Sequence, residues 1–341
     1  MKRSLNFLSS YLSLRACRRL ALFIIAAALL LPGSLQAQTL KKVPFPFSPI
    51  GLNCLPWFVV KEARLSEKYG IELDPIFIGA SSALFQSMLS GAAEMSGSGG
   101  PAIIANILSG GDIIHVTAMV PRFTQSVMVK PEIKRPEDMA NKKIGVSRLG
   151  TVTHFALQTA LDGYGVKNVT ILQMGAMSSI MGGLQGGSID AGLVSPPTLF
   201  AVEKMGFKEL VSVTDLDLAF PNPSLVVQGG ILRKKPESVD GFMRAYARGI
   251  HRARTDKEFA LKSIANYTKI ADPAVLQKAY DLYVGKVLEK APYINMVGMR
   301  NALADLAKTV PAAKDVKPEQ FIDMQFLDRL EQSGLLKELY R

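Results

Sequence analysis

Cysteine is nearly absent: Cys17 and Cys54 are the only two in 341 residues. Cys17 lies in a leader-like N-terminus, so the mature chain is expected to keep one thiol. That excludes an internal disulfide and a thiolate zinc cluster. Histidine is almost as scarce. His115, His154 and His251 stand far apart, and none has metal-ligand spacing to a cysteine, an acid or another histidine. No metal and no cofactor are therefore expected. Three chemical signatures are also missing between strands and helices: the G-x-S-x-G elbow, the G-x-x-x-x-G-K-[ST] phosphate loop and the G-x-G-x-x-G dinucleotide turn. Past residue 37 no apolar run reaches the length of a membrane span.

What is present begins with that N-terminus. Lys2, Arg3, Arg15, Arg18 and Arg19 precede the apolar run 20–31, Pro32-Gly33 breaks it, and Leu35-Gln36-Ala37 offers a cleavage site. Residues 1–37 read as a secretory signal peptide, with an uncleaved anchor as the alternative. Leu14-Arg15-Ala16-Cys17 precedes the apolar run, the wrong side for a lipoprotein site. Five basic residues leave with the leader, so the formal charge of +11 falls to about +6. The rest are spread out, with Arg233-Lys234-Lys235 the densest cluster, which suits a solvated surface and no nucleic-acid partner. Export without disulfides fits a periplasmic chain large enough to be held by its core.

The mature chain repeats itself. At an offset of 96 residues Gly79 falls on Gly175, Ala80 on Ala176, Ser82 on Ser178, Gly91 on Gly187 and Pro101 on Pro197, with Glu94 on Asp190. Lys41-Lys42-Val43 answers Lys142-Lys143-Ile144, and Tyr69-Gly70-Ile71 answers Tyr164-Gly165-Val166. This period is too long for a solenoid and implies two similar lobes with a cleft between them. Periodicity predicts strands at 42–47, 71–78, 94–98 and 113–119, with helices at 56–69, 82–90 and 101–109. The second lobe predicts strands at 143–147, 169–173, 191–194 and 210–213, with helices at 151–162, 178–185 and 197–204. Such alternation implies parallel units and a doubly wound sheet in each lobe. A strand over 225–232 and five helices follow, at 239–255, 257–268, 273–288, 297–310 and 321–336. The chain is expected to cross near 120–128, return near 218–226, and pack its helical tail on the first lobe.

The ordered set Pro49-Ile50-Gly51…Pro56, Glu67-Lys68-Tyr69-Gly70-Ile71, Gly79-Ala80-Ser81-Ser82…Gly91…Glu94 and Lys142-Lys143-Ile144-Gly145-Val146 resembles solute-binding proteins of ABC importers. The branch is that of aliphatic-sulfonate, nitrate and taurine binders and thiamine-pyrimidine-synthase-like proteins. The resemblance implies an α/β, type II periplasmic binding protein fold: two doubly wound lobes joined by a two-stranded hinge. It divides the chain into leader 1–37, first lobe 38–124, second lobe 125–220, and a return with C-terminal helices over 221–341. It also implies a monomer, a small-molecule solute and a transient membrane permease partner.

Ligands of open α/β sheets lie beyond the carboxyl ends of the strands, where helix N-termini suit an anion. Candidate ligand-binding residues there are Gly51, Leu52, Asn53, Ser81, Ser82, Ser98, Gly99, Thr124, Gln125, Thr151, Val152, Thr153 and Ser195. Each Ser or Thr has an alternative role as a helix cap. Thr151 and Thr153 carry the most weight, because Gly150 before them permits close backbone approach. Arg122 and Arg148 could pair an anionic head bidentately, His154 lies near the cleft, and Trp57 could wall it or pack in the core. The expected function is a periplasmic receptor for a small anionic organic solute, sulfonate- or carboxylate-like, and not an enzyme. The alternatives are a thiamine-pyrimidine-synthesis enzyme, disfavoured by the single mature cysteine, and the ligand-sensing domain of a regulator.

Overall fold

Two five-stranded sheets carry the architecture of this computed structural model, which describes residues 39–48, 50–78, 81–98, 104, 107–118, 120–216, 218–220, 224–308 and 310–341, with backbone alone at 81–83 and 224. The first sheet holds β1 (Lys41–Phe47), β2 (Ile71–Phe77), β3 (Met95–Ser98), β4 (Ile113–Ala118) and β10 (Ser224–Gln228), in the order β2-β1-β3-β10-β4. The second holds β5 (Ser126–Val129), β6 (Lys143–Val146), β7 (Thr170–Gln173), β8 (Ala191–Val194) and β9 (Lys208–Ser212), in the order β7-β6-β8-β5-β9. The two orders are the same once β1 is matched with β6 and β10 with β5. Residues Leu40–Arg341 form one compact unit. The leader, Gly99 and most of the helix expected at 101–109 lie outside the described residues.

The repeat in sequence is a repeat in space. Helix α2 (Ser81–Leu89) and helix α4 (Met177–Gln185) begin and end 96 residues apart, as do β3 and β8. Gly91 and Gly187 both stand at positive φ, 78° and 71°, in the turns that follow those helices. The matched acids are structural. Glu94 pairs with Lys41 at 2.6 Å, while Asp190 pairs with Lys130 at 2.7 Å and accepts from the Lys143 backbone N–H at 3.0 Å. The Lys130 ammonium, and then that N–H, hold the Asp190 carboxyl below the usual carboxylate range.

The expected parallel units are present, and each sheet also holds one antiparallel strand. β10 runs antiparallel to β3 and β4, and β5 antiparallel to β8 and β9. Geometry demands this. β4 delivers the chain to the cleft end of its sheet, so β5 enters the second sheet at the cleft and must run away from it. β10 does the same on return. Each carries a bulge at the matching place, between Val127 and Met128 and between Leu225 and Val226. The stretch expected as a plain crossing at 120–128 thus contains a strand. The strand expected over 225–232 stops at Gln228 and becomes a helix, Gly229–Lys234. The two crossings touch one another: Phe220 N–H donates to Pro121 C=O at 2.9 Å, Arg122 bridges Ala219, and the Phe123 and Phe220 rings stack at 4.2 Å. This is a two-stranded hinge.

The core under the first sheet joins α1 (Leu55–Glu62) to the long tail helix α7 (Pro236–Thr255) and to α8 (Lys257–Thr268) and α9 (Pro273–Leu282). Here α3 is Val152–Gly163, α5 is Thr198–Lys204 and α6 is Gly229–Lys234. Trp57 is 1% exposed and stacks on Tyr246 at 3.9 Å, so it is a core residue. The tail does not pack on the first lobe alone. Helix α10 (Met296–Leu306) places Met299, Ala302 and Leu303 in one cluster with Val127, Ile144 and Phe155 of the second lobe. An added Cβ at Gly298 would stand 2.9 Å from the Phe220 nitrogen, so this helix lies against the hinge backbone.

His115 of β4 is fully buried, neither ring nitrogen has a hydrogen-bond partner, and burial pushes its pKa down to about 3. An unfolded imidazole binds its proton below about pH 6.5. The folded one stays neutral to about pH 3. Between these values the unfolded state holds more protons, so this stabilisation is complete above the unfolded pKa and is lost on acidification, by about 1.4 kcal/mol per pH unit. His115→Leu is expected to flatten the decline of Tm between roughly pH 6.5 and 4.5. Equal slopes for variant and wild type would refute this.

Candidate functional site

A cavity of about 350 Å³ opens where the two lobes, the hinge and the tail meet. The first lobe contributes Leu52 and Asn53, the second Ser195 and Pro196, the crossings Thr124 and Thr214, and the tail Leu282, Tyr283 and Val287. Each sheet supplies its part at the carboxyl end of a strand: Leu52 and Asn53 follow β1, Ser195 follows β8. Thr124 and Thr214 flank the neighbouring strands β5 and β9, which pair Ser126 with Ser212.

Local sequence explains the first-lobe wall. Gly51 stands in extended backbone and opens a short 3-10 turn, Leu52–Cys54, that runs directly into α1. The leading N–H groups of a helix have no carbonyl of their own to bond, so the turn presents donors and a partial positive charge. Gly51 has no side chain to fill the gap. A Cβ there would lie 2.9 Å from Asn53 Oδ1 and 3.9 Å from the Pro196 carbonyl oxygen of the opposite lobe. Asn53 is 8% exposed, and its Oδ1 is buried with no hydrogen-bond partner in the protein. A buried unpaired amide oxygen costs about 1–3 kcal/mol, which a donor on a bound solute removes. The Tyr283 hydroxyl donates to Asn53 C=O at 3.4 Å, and burial raises its pKa well above that of a free phenol. Among the described residues, the lining holds no charged side chain.

The sequence-derived candidates divide. Leu52, Asn53, Thr124 and Ser195 line the cavity, and Gly51 sits at its edge. Gln125 is buried beside it, with Oε1 accepting from Thr124 N–H at 3.1 Å. Ser98 ends β3, buried and outside the lining. Ser81 and Ser82 open α2, their side chains outside the description, and Gly99 lies outside it altogether. Thr151, Val152 and Thr153 are not in the lining. Their hydroxyls are committed locally: Thr153 Oγ1 accepts from Ser147 N–H at 2.9 Å and lies 2.7 Å from Ser147 Oγ, while Thr151 donates to Arg148 C=O at 2.6 Å. They brace the loop that opens α3. Thr151→Ala with Thr153→Ala is therefore expected to lower Tm by a few degrees, roughly 1–2 kcal/mol of lost hydrogen bonding. The solute-induced rise in Tm should survive in that variant; its disappearance would restore a direct role. Arg148 is exposed. His154 Nδ1 accepts from Gly150 N–H at 3.2 Å, and desolvation lowers its pKa.

Sequence reasoning missed Pro196, Thr214, Leu282, Tyr283 and Val287. The repeat had marked Pro196-Pro197 as its own terminus, which was a usable sign. The tail residues gave none.

Two ion pairs close the outer side of the cleft. Lys204 of α5 bonds Asp272 at the start of α9, and Lys278 reaches Glu203 at 3.6 Å. Asp272 caps the helix as well, its Oδ1 accepting from Ala274 N–H at 2.9 Å and Val275 N–H at 3.2 Å. The Lys204 bond and those N–H groups lower its pKa. Such exposed pairs are weak and weaken further with salt.

Residues 55–260, more than half of the chain, match the family described as NMT1/THI5 like. The taurine-binding periplasmic protein of Escherichia coli (strain K12) is 29% identical over 153 residues, 43% of this chain and 47% of that protein. The matched part thus spans about half the length of that relative. A Brachyspira hyodysenteriae (strain ATCC 49526 / WA1) protein, named as a candidate ABC transporter periplasmic binding protein, is 23% identical over 71% of this chain and 73% of its own. In fold, the periplasmic aliphatic sulphonate binding protein SsuA from Escherichia coli superposes with a TM-score of 0.69 at 17% identity, covering 84% of this chain and 99% of that one.

Proposed function

The chain belongs to the NMT1/THI5-like family, and from that premise we propose that it is the periplasmic solute receptor of an ABC importer, binding a small organic anion of the sulfonate kind between its lobes. The observation that carries this reading is the cavity built jointly by both lobes and both crossings. A ligand that touches Asn53 and Ser195 together stabilises the closed arrangement over any open one, which is how such a hinge is driven. Thr124, Ser195 and Thr214 offer uncharged hydrogen-bond donors for a compact head group, beside the N–H groups of the turn at Leu52, while Asn53 Oδ1 accepts from a donor elsewhere on the solute. The remaining lining is apolar and suits a carbon body. Taurine and aliphatic sulfonates, for which two of the similar proteins are named, each combine such a head with a carbon body.

A receptor is favoured over a catalyst. Among the described residues the lining holds no nucleophile beside a base, and Cys54, fully buried, has its thiol pKa pushed up to about 12 and so stays protonated. The permease partner, the periplasmic location, removal of residues 1–37, the division of the chain at residues 124 and 220, and a monomeric state belong to the same proposal. Among the described residues no helix is long and apolar enough to cross a membrane.

The test is native mass spectrometry of protein purified from the periplasm, with thermal shift against sulfonates, carboxylates, nitrate and pyrimidines. A solute at about 100 times its Kd adds about 2.7 kcal/mol of stability. No retained solute and no shift with any class would sink the proposal.

A further inference from the structure

The apolar wall of the cavity is made by neither sheet. Leu282, Tyr283 and Val287 come from the end of α9 and the π turn Tyr283–Val287 that follows it, beyond the last residue of the family match. In this turn Leu288 N–H donates to Tyr283 C=O at 2.8 Å, five residues back. Single π turns cluster at functional sites. Because the helix ends here, its last carbonyls need outside donors. Arg254, in the last turn of α7, supplies them: Nη1 donates to Leu288 C=O at 2.6 Å and to Val284 C=O at 3.2 Å. The neighbouring Ala253 C=O accepts the Tyr280 hydroxyl at 2.9 Å. The wall is thus held to the first lobe's helices, and the Tyr283 hydroxyl ties it to Asn53 C=O.

A wall fixed in this way behaves differently from the groups opposite it. Ser195 and Pro196 travel with the second lobe. Leu282, Tyr283, Val287 and Asn53 are tied to the same first-lobe elements, so their mutual spacing does not depend on where the second lobe sits. The distance from the N–H groups of the turn at Leu52 and Asn53 to the apolar wall is therefore a built-in gauge, and it measures the part of the solute that carries no charge.

We infer that the π turn 283–287 is the specificity-determining element of this cleft: Leu282 and Val287 set the size of apolar body admitted, and Arg254 is the positioning residue that holds them. The inference rests on the receptor reading above and deepens it. In a hydrophobic pocket one methylene changes discrimination by about 10-fold or more, so the effect is measurable.

The experiment is calorimetric titration of the 1-alkanesulfonates from methane- to octanesulfonate into wild type, Val287→Ala, Leu282→Ala, Arg254→Ala and Arg254→Lys, with native mass spectrometry of solutes retained by each. Val287→Ala and Leu282→Ala should move the preferred chain length up by one or two carbons and raise the long-to-short affinity ratio roughly tenfold. Arg254→Ala should flatten the chain-length profile, and Arg254→Lys, which still reaches a carbonyl, should restore part of it. A general loss of stability lowers all affinities together and leaves the profile's shape alone. If wild type binds and every variant keeps its profile and its retained solutes, the inference is overturned while the receptor reading stands. If wild type binds no sulfonate but retains another solute, an unchanged retained set in Val287→Ala and Arg254→Ala overturns it equally. A wild type that binds and retains nothing removes both.

Discussion

Trp57→Ala is expected to lower the unfolding free energy by about 3–5 kcal/mol, or roughly 10 °C in Tm for a chain of this size. Trp57 is the only tryptophan, is 1% exposed, and stands at the centre of an aromatic cluster. Its ring lies 3.9 Å from Tyr246, 4.9 Å from Phe45 and 5.2 Å from Phe242. These residues join β1 to α1 and α7, so the cavity left by truncation would open between the sheet and its main covering helix. Close packing there leaves little room for collapse: a Cβ on Gly249 of α7 would come within 2.7 Å of the Pro56 carbonyl oxygen. Tyr246→Phe is the control. The Tyr246 hydroxyl is buried without a partner, so removing it should leave Tm unchanged or raise it. Urea melts of both variants measure this. A cost below about 1 kcal/mol for Trp57→Ala, with loss of the solute-induced shift, would mean that Trp57 faces the cleft after all.

Gly51→Leu is expected to prevent solute binding while sparing the fold. The Gly51 backbone is extended at φ −173°, which any residue adopts, so no strain arises from the main chain. The added side chain has no room, because its first carbon already falls 2.9 Å from Asn53 Oδ1 and 3.9 Å from the Pro196 carbonyl across the cleft. The larger residue props the lobes apart and displaces Asn53. The Asn53 contact burdens the open and closed forms alike; the side chain's outer carbons, set against Pro196, overpack the closed form, and about 1–3 kcal/mol there corresponds to a rise in Kd of roughly 5- to 150-fold. Small-angle scattering should show a larger radius of gyration that added solute does not reduce. A variant that still compacts on adding solute, at wild-type affinity, would show that the solute does not occupy this gap.

Much of the scaffold was legible because it is written twice. Gly91 and Gly187 mark two left-handed turns, the helices at 81–89 and 177–185 start at the same place in each copy, and Glu94 and Asp190 anchor equivalent strands. The hinge strands were written twice as well, as Ser126-Val127-Met128-Val129 and Ser224-Leu225-Val226-Val227; the second was expected as a strand from residue 225, the first escaped notice. The four residues of Ser126–Val129 are all buried and so show no alternation, since both faces of the strand are covered. Their antiparallel sense was beyond any pattern, because it follows from where the chain enters the second sheet.

The site divides along the same line. Gly51, Leu52, Asn53 and Ser195 could be named from sequence, because a ligand lies where strands end and helices begin. Thr151 and Thr153 satisfied the same rule. Their hydroxyls proved to be held by Ser147 and Arg148, and hydroxyl direction is a tertiary fact. The amino-acid sequence by itself determined that there are two related lobes with a cleft between them. Only the tertiary structure decided which residues face one another across that cleft. Leu282, Tyr283 and Val287 stand some 230 residues from Asn53 along the chain. Their apolar periodicity records only that they are covered; folding of the tail onto α1 and α7, fixed by packing and by the Arg254 guanidinium, turns part of that covered face into the wall of the cavity.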